Sequence, residues 1–383
     1  MIDVFAVADI IVKHIKTYYP EDVAIVGYYG SYLQGRATER SDLDFFFIPA
    51  TARGRQAGCQ FIIDGISFDF WPIGWDRAER MAAFEEWNTT IIADCELLYV
   101  RSEGDLARFM ELRETISNMG SESKATELTI KAESVVKDCF FHMAKMQLVG
   151  NSQELSYCRT QAQMIMVKIF KSLGFLNQIY YKRMWGHYRE QVRSLPIKPD
   201  QLDQYLDTIM FSRTPDEVIL ACEKLITDTL CLISERQNSQ KKVRSYSGQM
   251  NGYYEEEKGM LNKLLTACEK GDYETAFFVA IGVQDGLARN LYAAEKGCWP
   301  GNVDLGEHRE FYVQYGYPDL VALLDPTDFE PLRLAVLQLT EKLENHLKTE
   351  GVPLNQFDSV AEFESFYKNK VMSKRGIYNE ASQ

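Results

Sequence analysis

The chain lacks any C-x-x-C pair, although it holds eight cysteines, at positions 59, 95, 139, 158, 222, 231, 268 and 298. It also lacks a histidine pair at zinc-ligand spacing. Together these absences exclude a structural zinc motif and point to reduced, mostly buried thiols in a cytoplasmic setting. Positive charge is in short supply: 42 Lys and Arg stand against 55 Asp and Glu, a formal net charge of −13. A broad polyanion-binding face needs a Lys/Arg stripe, so no nucleic-acid partner is expected. The same balance is compatible with a small polycationic partner. No apolar run reaches transmembrane length, so no membrane association is expected. The start, MIDVFAVADIIVKHIK, lacks the basic opening and small-residue cleavage site of a signal peptide and reads as an amphipathic helix, with His14 on its surface. Gly30 to Gly35 has the G-x-x-x-x-G of a P-loop, but Arg36-Ala37 stands where Lys-Ser/Thr would grip phosphate and metal. The P-loop reading is therefore excluded.

What is present is concentrated in Val23 to Pro49, VAIVGYYGSYLQGRATERSDLDFFFIP. Val23-Ala24-Ile25-Val26 reads as a strand, Gly27 to Ser31 as a glycine turn opening a short helix, and Phe45-Phe46-Phe47-Ile48 as a second strand stopped by Pro49. Asp42 and Asp44 stand two apart at the start of that apolar strand, where alternate residues share a face. Two unpaired carboxylates on one face repel, and burying them costs several kcal/mol each, on the order of the penalty for any unpaired buried charge. A divalent cation removes both costs. Oxygen ligands of this kind suit Mg²⁺, which takes one or two carboxylates and completes its shell with phosphate and water. Gly30-Ser31 offers bare N–H groups and a hydroxyl to a phosphate. Downstream, Phe61 to Ile63 and Ile66 to Trp71 read as strands around an Asp64-Gly65 hairpin turn. Asp69 lies in the second. If that strand pairs beside the first Asp strand, three carboxylates converge in a site suited to two-metal phosphoryl transfer.

Gly-Ser, a ten-residue gap, Ser41-Asp42-Leu43-Asp44 and a distant strand Asp resemble the nucleotidyltransferase superfamily that includes DNA polymerase β. Tyr29-Gly30-Ser31 and the spacing to Ser41-Asp42 are most similar to the kanamycin nucleotidyltransferases, which adenylylate aminoglycosides from ATP. The resemblance implies an α/β (α+β) catalytic domain with a mixed, mostly antiparallel sheet. It also implies ATP or another NTP as co-substrate, two Mg²⁺ ions, and a hydroxylated small molecule as acceptor. Asp42 and Asp44 would bind both metals, and Asp69 the one that activates the acceptor. Gly30, Ser31 and Ser41 would serve the nucleotide. In that family a helical-domain Glu, four residues before a nucleotide-contacting Lys, is the general base. Glu133 and Lys137 have that spacing, which is also that of an ordinary exposed helix pair.

The order along the chain is a catalytic domain over 1–118, a helical bundle over 124–238 and a mostly helical region over 253–383, of unread role and outside the resemblance. A helix is expected from Trp75 to Trp87 with Asp76 as N-cap, one from Leu155 ended by Gly174, and another over Gln178 to Tyr188. Within the last, Arg183 and His187 fall one residue short of the R-x-x-x-x-H spacing of helical-bundle ribonucleases. Ser239 to Gly252 is polar, basic and glycine-bearing, and reads as a linker. Three other readings stay open: a protein-modifying nucleotidyltransferase of toxin–antitoxin type, a non-catalytic nucleotide-binding module, and a homodimer with a site shared between subunits. RNA tailing is disfavoured by the charge.

Overall fold

Four consecutive apolar residues, Phe45 to Ile48, cannot alternate between core and solvent, so the strand carrying them must be covered on both faces. The computed structural model, which describes residues 3–86, 88–148, 155–183, 187–239, 245–297, 299–300 and 306–368, shows how. Five strands form one sheet: β1 (Val23–Tyr29), β2 (Asp44–Pro49), β3 (Cys59–Ile63), β4 (Ile66–Pro72) and β5 (Glu96–Val100). Their order is β3-β4-β2-β1-β5, so β2 is central. Only β2 and β4 run parallel; the other pairs are antiparallel. The sheet is mixed and mostly antiparallel, as the sequence implied.

On one face α1 (Val4–Tyr18), capped by the Asp3 carboxylate, lays Val4, Val7, Ala8 and Ile15 over Val23, Val26, Phe45 and Phe47. His14 is exposed on this helix and stacks near Tyr18, as expected of a surface residue. The helices α2 (Trp75–Ala82), α3 (Thr89–Ala93) and α4 (Glu103–Ser117) complete this α/β part. Phe45, Phe46 and Phe47 are each 0% exposed. Burying each contributes roughly 1.5–3 kcal/mol. The β3–β4 hairpin turns at Asp64 (φ 48°) and Gly65 (φ 78°), the two left-handed residues a type I′ turn requires.

Two local expectations change here. The Trp75 helix is capped by Gly74 rather than Asp76 and ends at Ala82, because Phe84 takes a left-handed φ of 62°. After Gly30 there is no helix. Gly30 and Gly35 both have positive φ, and the residues between them close successive turns, Gln34 N–H to Gly30 C=O and Arg36 N–H to Ser31 C=O.

The helical bundle follows: α5 (Glu122–Leu148), α6 (Leu155–Leu176), α7 (Tyr188–Arg193), α8 (Leu202–Phe211) and α9 (Pro215–Ser239). Leu128, Ala132, Val136, Cys139 and Met143 of α5 are buried at helical spacing, as are Ala162, Ile165, Ile169 and Leu173 of α6. Gly174 does not end α6. A Cβ there would stand 3.1 Å from the Ile179 carbonyl and from the Tyr181 ring, so the glycine admits a close backbone approach. The helix ends two residues later, and Gln178 takes the left-handed φ of 54°. The chain then turns back, with the Tyr181 hydroxyl donating to the Phe170 carbonyl at 2.7 Å. Residues 179–183 are consequently loop, not helix.

Contacts divide the chain into two compact units, Met1–Arg236 and Gln237–Gln383. The first holds sheet and bundle together, tied by Lys131 Nζ to the Ala83 carbonyl and Gln178 Nε2 to the Ser121 carbonyl, both 2.8 Å. The second is helical: α10 (Tyr246–Met250), α11 (Tyr253–Lys270), α12 (Tyr273–Lys296), α13 (Glu307–Gln314) and α14 (Glu330–Thr349). Its core is its own, with Leu261, Leu264, Leu287, Leu339 and Leu343 fully buried. The expected linker is shorter than its composition suggested, because α10 forms inside it and buries Met250; residues 240–244 lie outside those described. Since each unit has its own core, residues 1–240 expressed alone are expected to stay monodisperse with the native near-UV spectrum. Aggregation of that fragment would show that the first unit depends on the second.

Of the described cysteines, Cys59 and Cys231 are exposed and Cys95, Cys139, Cys158, Cys222 and Cys268 are buried; Cys298 lies outside the described residues. Among the described residues no helix is long and apolar enough to cross a membrane.

Candidate active site

The site grows from one backbone feature. Tyr29, the last residue of β1, pairs across the sheet with Asp44, the first of β2. The chain then turns at Gly30 with φ 87°. A Cβ on Gly30 would lie 1.9 Å from Asp44 Oδ2, so only glycine admits the carboxylate against the turn. The Ser31 backbone N–H donates to the same carboxylate.

Asp42 precedes β2 rather than lying in it, yet it remains near enough for its charge to act on Asp44. Burial, and then the Asp42 charge, push the Asp44 carboxyl up to about 6, although the Ser31 N–H pulls the other way. Asp42 is also raised, by burial first, with its own backbone N–H opposing and the Asp69 charge adding. Tyr29 lies among all three. Burial and then the Asp44 charge carry its phenol to about 12, with Asp69 and Asp42 contributing.

Asp69 is on β4. The parallel register pairs Phe45 with Phe70, and continuing it back one residue sets Asp44 beside Asp69. The third carboxylate is therefore on the same face as Asp44, and its charge acts on Asp42. Its side chain is exposed and accepts from Gln60 Nε2 at 2.7 Å. Among the described residues, no three His, Cys, Asp or Glu side chains stand close enough to hold one metal ion. The Asp42–Asp44 pair nevertheless has the chemistry of a hard-cation site: oxygen donors only, mutual repulsion, and a glycine cradle a Cβ would fill.

Ser41 turns away from this centre, its hydroxyl accepting from the Thr38 N–H at 2.9 Å. Glu133 and Lys137 form an ion pair at 2.6 Å on α5, with Glu133 only 4% exposed. Neither lines the cavities at Gly30.

Two cavities adjoin Tyr29, Gly30, Gln34 and Thr90. One of about 410 Å³ is lined also by Ser31, Asp44, Arg36, Lys182, Arg183 and His187. The other, about 580 Å³, is lined by Asp94, Glu96, Leu97 and Arg113 among others. The cations of the first are residues that sequence reasoning did not assign to the site. Arg36 was set aside with the P-loop. Lys182 and Arg183 lie on a stretch read as helix, and the Arg–His spacing near it was the one signal that pointed there.

Residues 106–239 match the family model of the KNTase C-terminal domain. The chain resembles the kanamycin nucleotidyltransferases. This kanamycin-type match spans most of α4 and the whole bundle, the region in which the sequence had placed Glu133 and Lys137. Among solved structures, the chain is similar to a nucleotidyltransferase-like protein from Exiguobacterium sibiricum 255-15, at 9% identity over 63% of this chain and 84% of that one, with a TM-score of 0.32. A superposition that loose does not bear on function. No curated protein matches the sequence. The kanamycin-type family is one of transferases that generally use an NTP and a divalent metal.

Proposed function

We propose that the first unit transfers a nucleoside monophosphate, AMP from ATP in the first instance, to a hydroxyl of a small molecule. The observation that carries this is Asp44, seated against a Gly30 that tolerates no side chain, opening on a cationic cavity and lying within reach of the Asp42 charge. In the proposed reaction the acceptor oxygen attacks the α-phosphorus, the α–β bridging P–O bond breaks, and pyrophosphate leaves. Asp42 and Asp44 would hold two Mg²⁺ ions, with Asp69 swinging from Gln60 toward one of them. Bound there, a divalent ion supplies Lewis acidity to the attacking hydroxyl and neutralises phosphate charge. Gly30 and Ser31 present the turn to the β- and γ-phosphates, and Ser41 fixes the loop that leads to Asp42.

Glu133 is carried in the proposal as the base that takes the hydroxyl proton, and Lys137 as a phosphate contact. Because neither lines the cavities at Gly30, the proposal includes a homodimer in which one bundle serves its partner's cleft. Glu133→Gln is then expected to lower kcat by roughly 10²–10⁴-fold with little change in KM for the NTP. A loss below about threefold would leave the pair as a brace of α5, worth only tenths of a kcal/mol or so. Mixing Asp42→Asn chains with Glu133→Gln chains should restore activity if the site is shared.

The acceptor class is proposed from charge and resemblance: a polycationic, hydroxylated molecule of aminoglycoside type, met in the cytoplasm. A panel of such acceptors with ATP and Mg²⁺, read by pyrophosphate release, tests it. Modification of a partner polypeptide instead would favour the toxin–antitoxin reading. ATP binding without transfer to any acceptor would favour the binding module.

A further inference from the structure

We propose that the loop following α6 is a triphosphate clamp, in which Lys182 and Arg183 take the phosphates of the nucleotide and Gln34 and Gln191 are the positioning residues that hold the loop at the Asp44 cavity. The inference rests on the nucleotidyltransferase reading and names which residues bind the co-substrate.

Elsewhere in the unit Arg53, Arg101, Arg108 and Arg193 are each paired with a carboxylate within 2.8 Å. In the Asp44 cavity the cations are not satisfied this way. Among the described residues Lys182 and Arg36 make no ion pair, and Arg36 is set 2.8–2.9 Å from the His187 ring nitrogens. Among the described residues Arg183 reaches Glu190, at 3.6 Å, on a side chain 70% exposed. An exposed pair that long contributes little. Three cationic side chains line a cavity of about 410 Å³ in which Asp44 is the one acidic residue among the described lining, and that balance calls for a polyanion.

The loop is also built to stay where it is. The Lys182 carbonyl accepts from Gln34 Nε2 at 2.9 Å, on the glycine turn, and from Thr90 Oγ1 at 3.4 Å. On the other side Gln191 Oε1 accepts the N–H groups of Lys182 and Arg183, while its Nε2 donates to the carbonyls of Arg183 and His187. The peptide groups are thus fixed from both sides and the charged side chains are left to a ligand. Fixing the donors in advance lowers the ordering cost of binding.

The test is titration calorimetry on the full chain with ATP, inorganic tripolyphosphate and adenosine, in Mg²⁺ buffer. Lys182→Ala/Arg183→Ala is expected to raise Kd for ATP and for tripolyphosphate at least tenfold and to leave adenosine unchanged. Both side chains are exposed, so the thermal midpoint should stay put, and Lys182→Arg should retain wild-type affinity. Gln191→Ala should raise KM for ATP while kcat holds within about threefold, a split that a merely structural role would not produce. If the wild type binds ATP and the double variant binds it equally well, the clamp alone is overturned. If the wild type binds no ATP, the nucleotidyltransferase reading falls, and the clamp with it. An oligoribonucleotide bound more tightly than ATP would also overturn it.

Discussion

Asp44→Asn is expected to abolish nucleotidyl transfer, with a loss of at least about 10³-fold, while making the metal-free protein more stable. The two effects have one cause. The carboxylate is partly buried beside Asp42, and its pKa rises from an ordinary 3.8 to about 6. A folded-state pKa above the unfolded one means that the folded state binds the proton more tightly. The group therefore favours folding most below the unfolded value and loses that contribution as pH rises through about 6. At neutral pH the ionised Asp44 costs the apo protein on the order of 1–2 kcal/mol, after allowance for its partial exposure. Asn removes the charge and keeps the shape. In chelator, the variant should melt above wild type by a few degrees at about pH 8, and the gap should narrow as pH falls through about 6 and close below the ordinary value of 3.8. Added Mg²⁺ should raise the wild-type midpoint and leave the variant's unmoved. Asp42→Asn should behave alike in activity, since each carboxylate serves the same centre. Near-normal turnover in either variant would remove the metal reading.

Gly30→Ala should also be severe, by a route that involves no charge. The new methyl would meet Asp44 Oδ2 at 1.9 Å, and the backbone would have to hold alanine at φ 87°. The strained backbone costs roughly 1–3 kcal/mol. The carboxylate must also move, and a displacement of about 1 Å at a reacting centre costs on the order of 10²-fold in rate. The expected result is a drop in thermal stability together with a loss of transfer beyond a hundredfold. Asp44→Ala on top of Gly30→Ala relieves the clash with the carboxylate, so the double variant should recover part of the stability and none of the activity. Unchanged stability in the single variant would mean that the turn is looser than described.

What could be read ahead of the structure was local. Gly30-Ser31, Asp42 and Asp44 carry their meaning in short-range spacing, and the Asp64-Gly65 hairpin carries its turn type in two residues. Asp69 needed one further assumption, that β4 pairs beside β2, and the register provides it. The loop after α6 was not legible in this way. Ile179 to Tyr181 has the apolar and aromatic content of a helix, but Tyr181 folds back beneath Gly174 and hydrogen-bonds to Phe170. Gly174 itself looked like a helix stop and is a site of close approach. Lys182 reaches the site through Gln34, 148 residues earlier in the chain, a distance no periodicity or motif spans. Arg36 enters the sequence argument only as the residue that breaks the P-loop pattern, and it lines the cavity all the same. Glu133 is a different case. Its spacing to Lys137 matches a catalytic pattern and a helix brace equally, and the fold places it away from the cavities.

The Asp42–Asp44 centre is proposed to pass the α-phosphoryl group of an NTP to a hydroxyl. The most direct measurement follows radiolabel from the α-phosphate of ATP into an aminoglycoside-type acceptor, with Mg²⁺, for the wild type and Asp44→Asn side by side. The account predicts label in the acceptor with the wild type, one pyrophosphate released per label transferred, and background with the variant. Equal transfer by both proteins would contradict it.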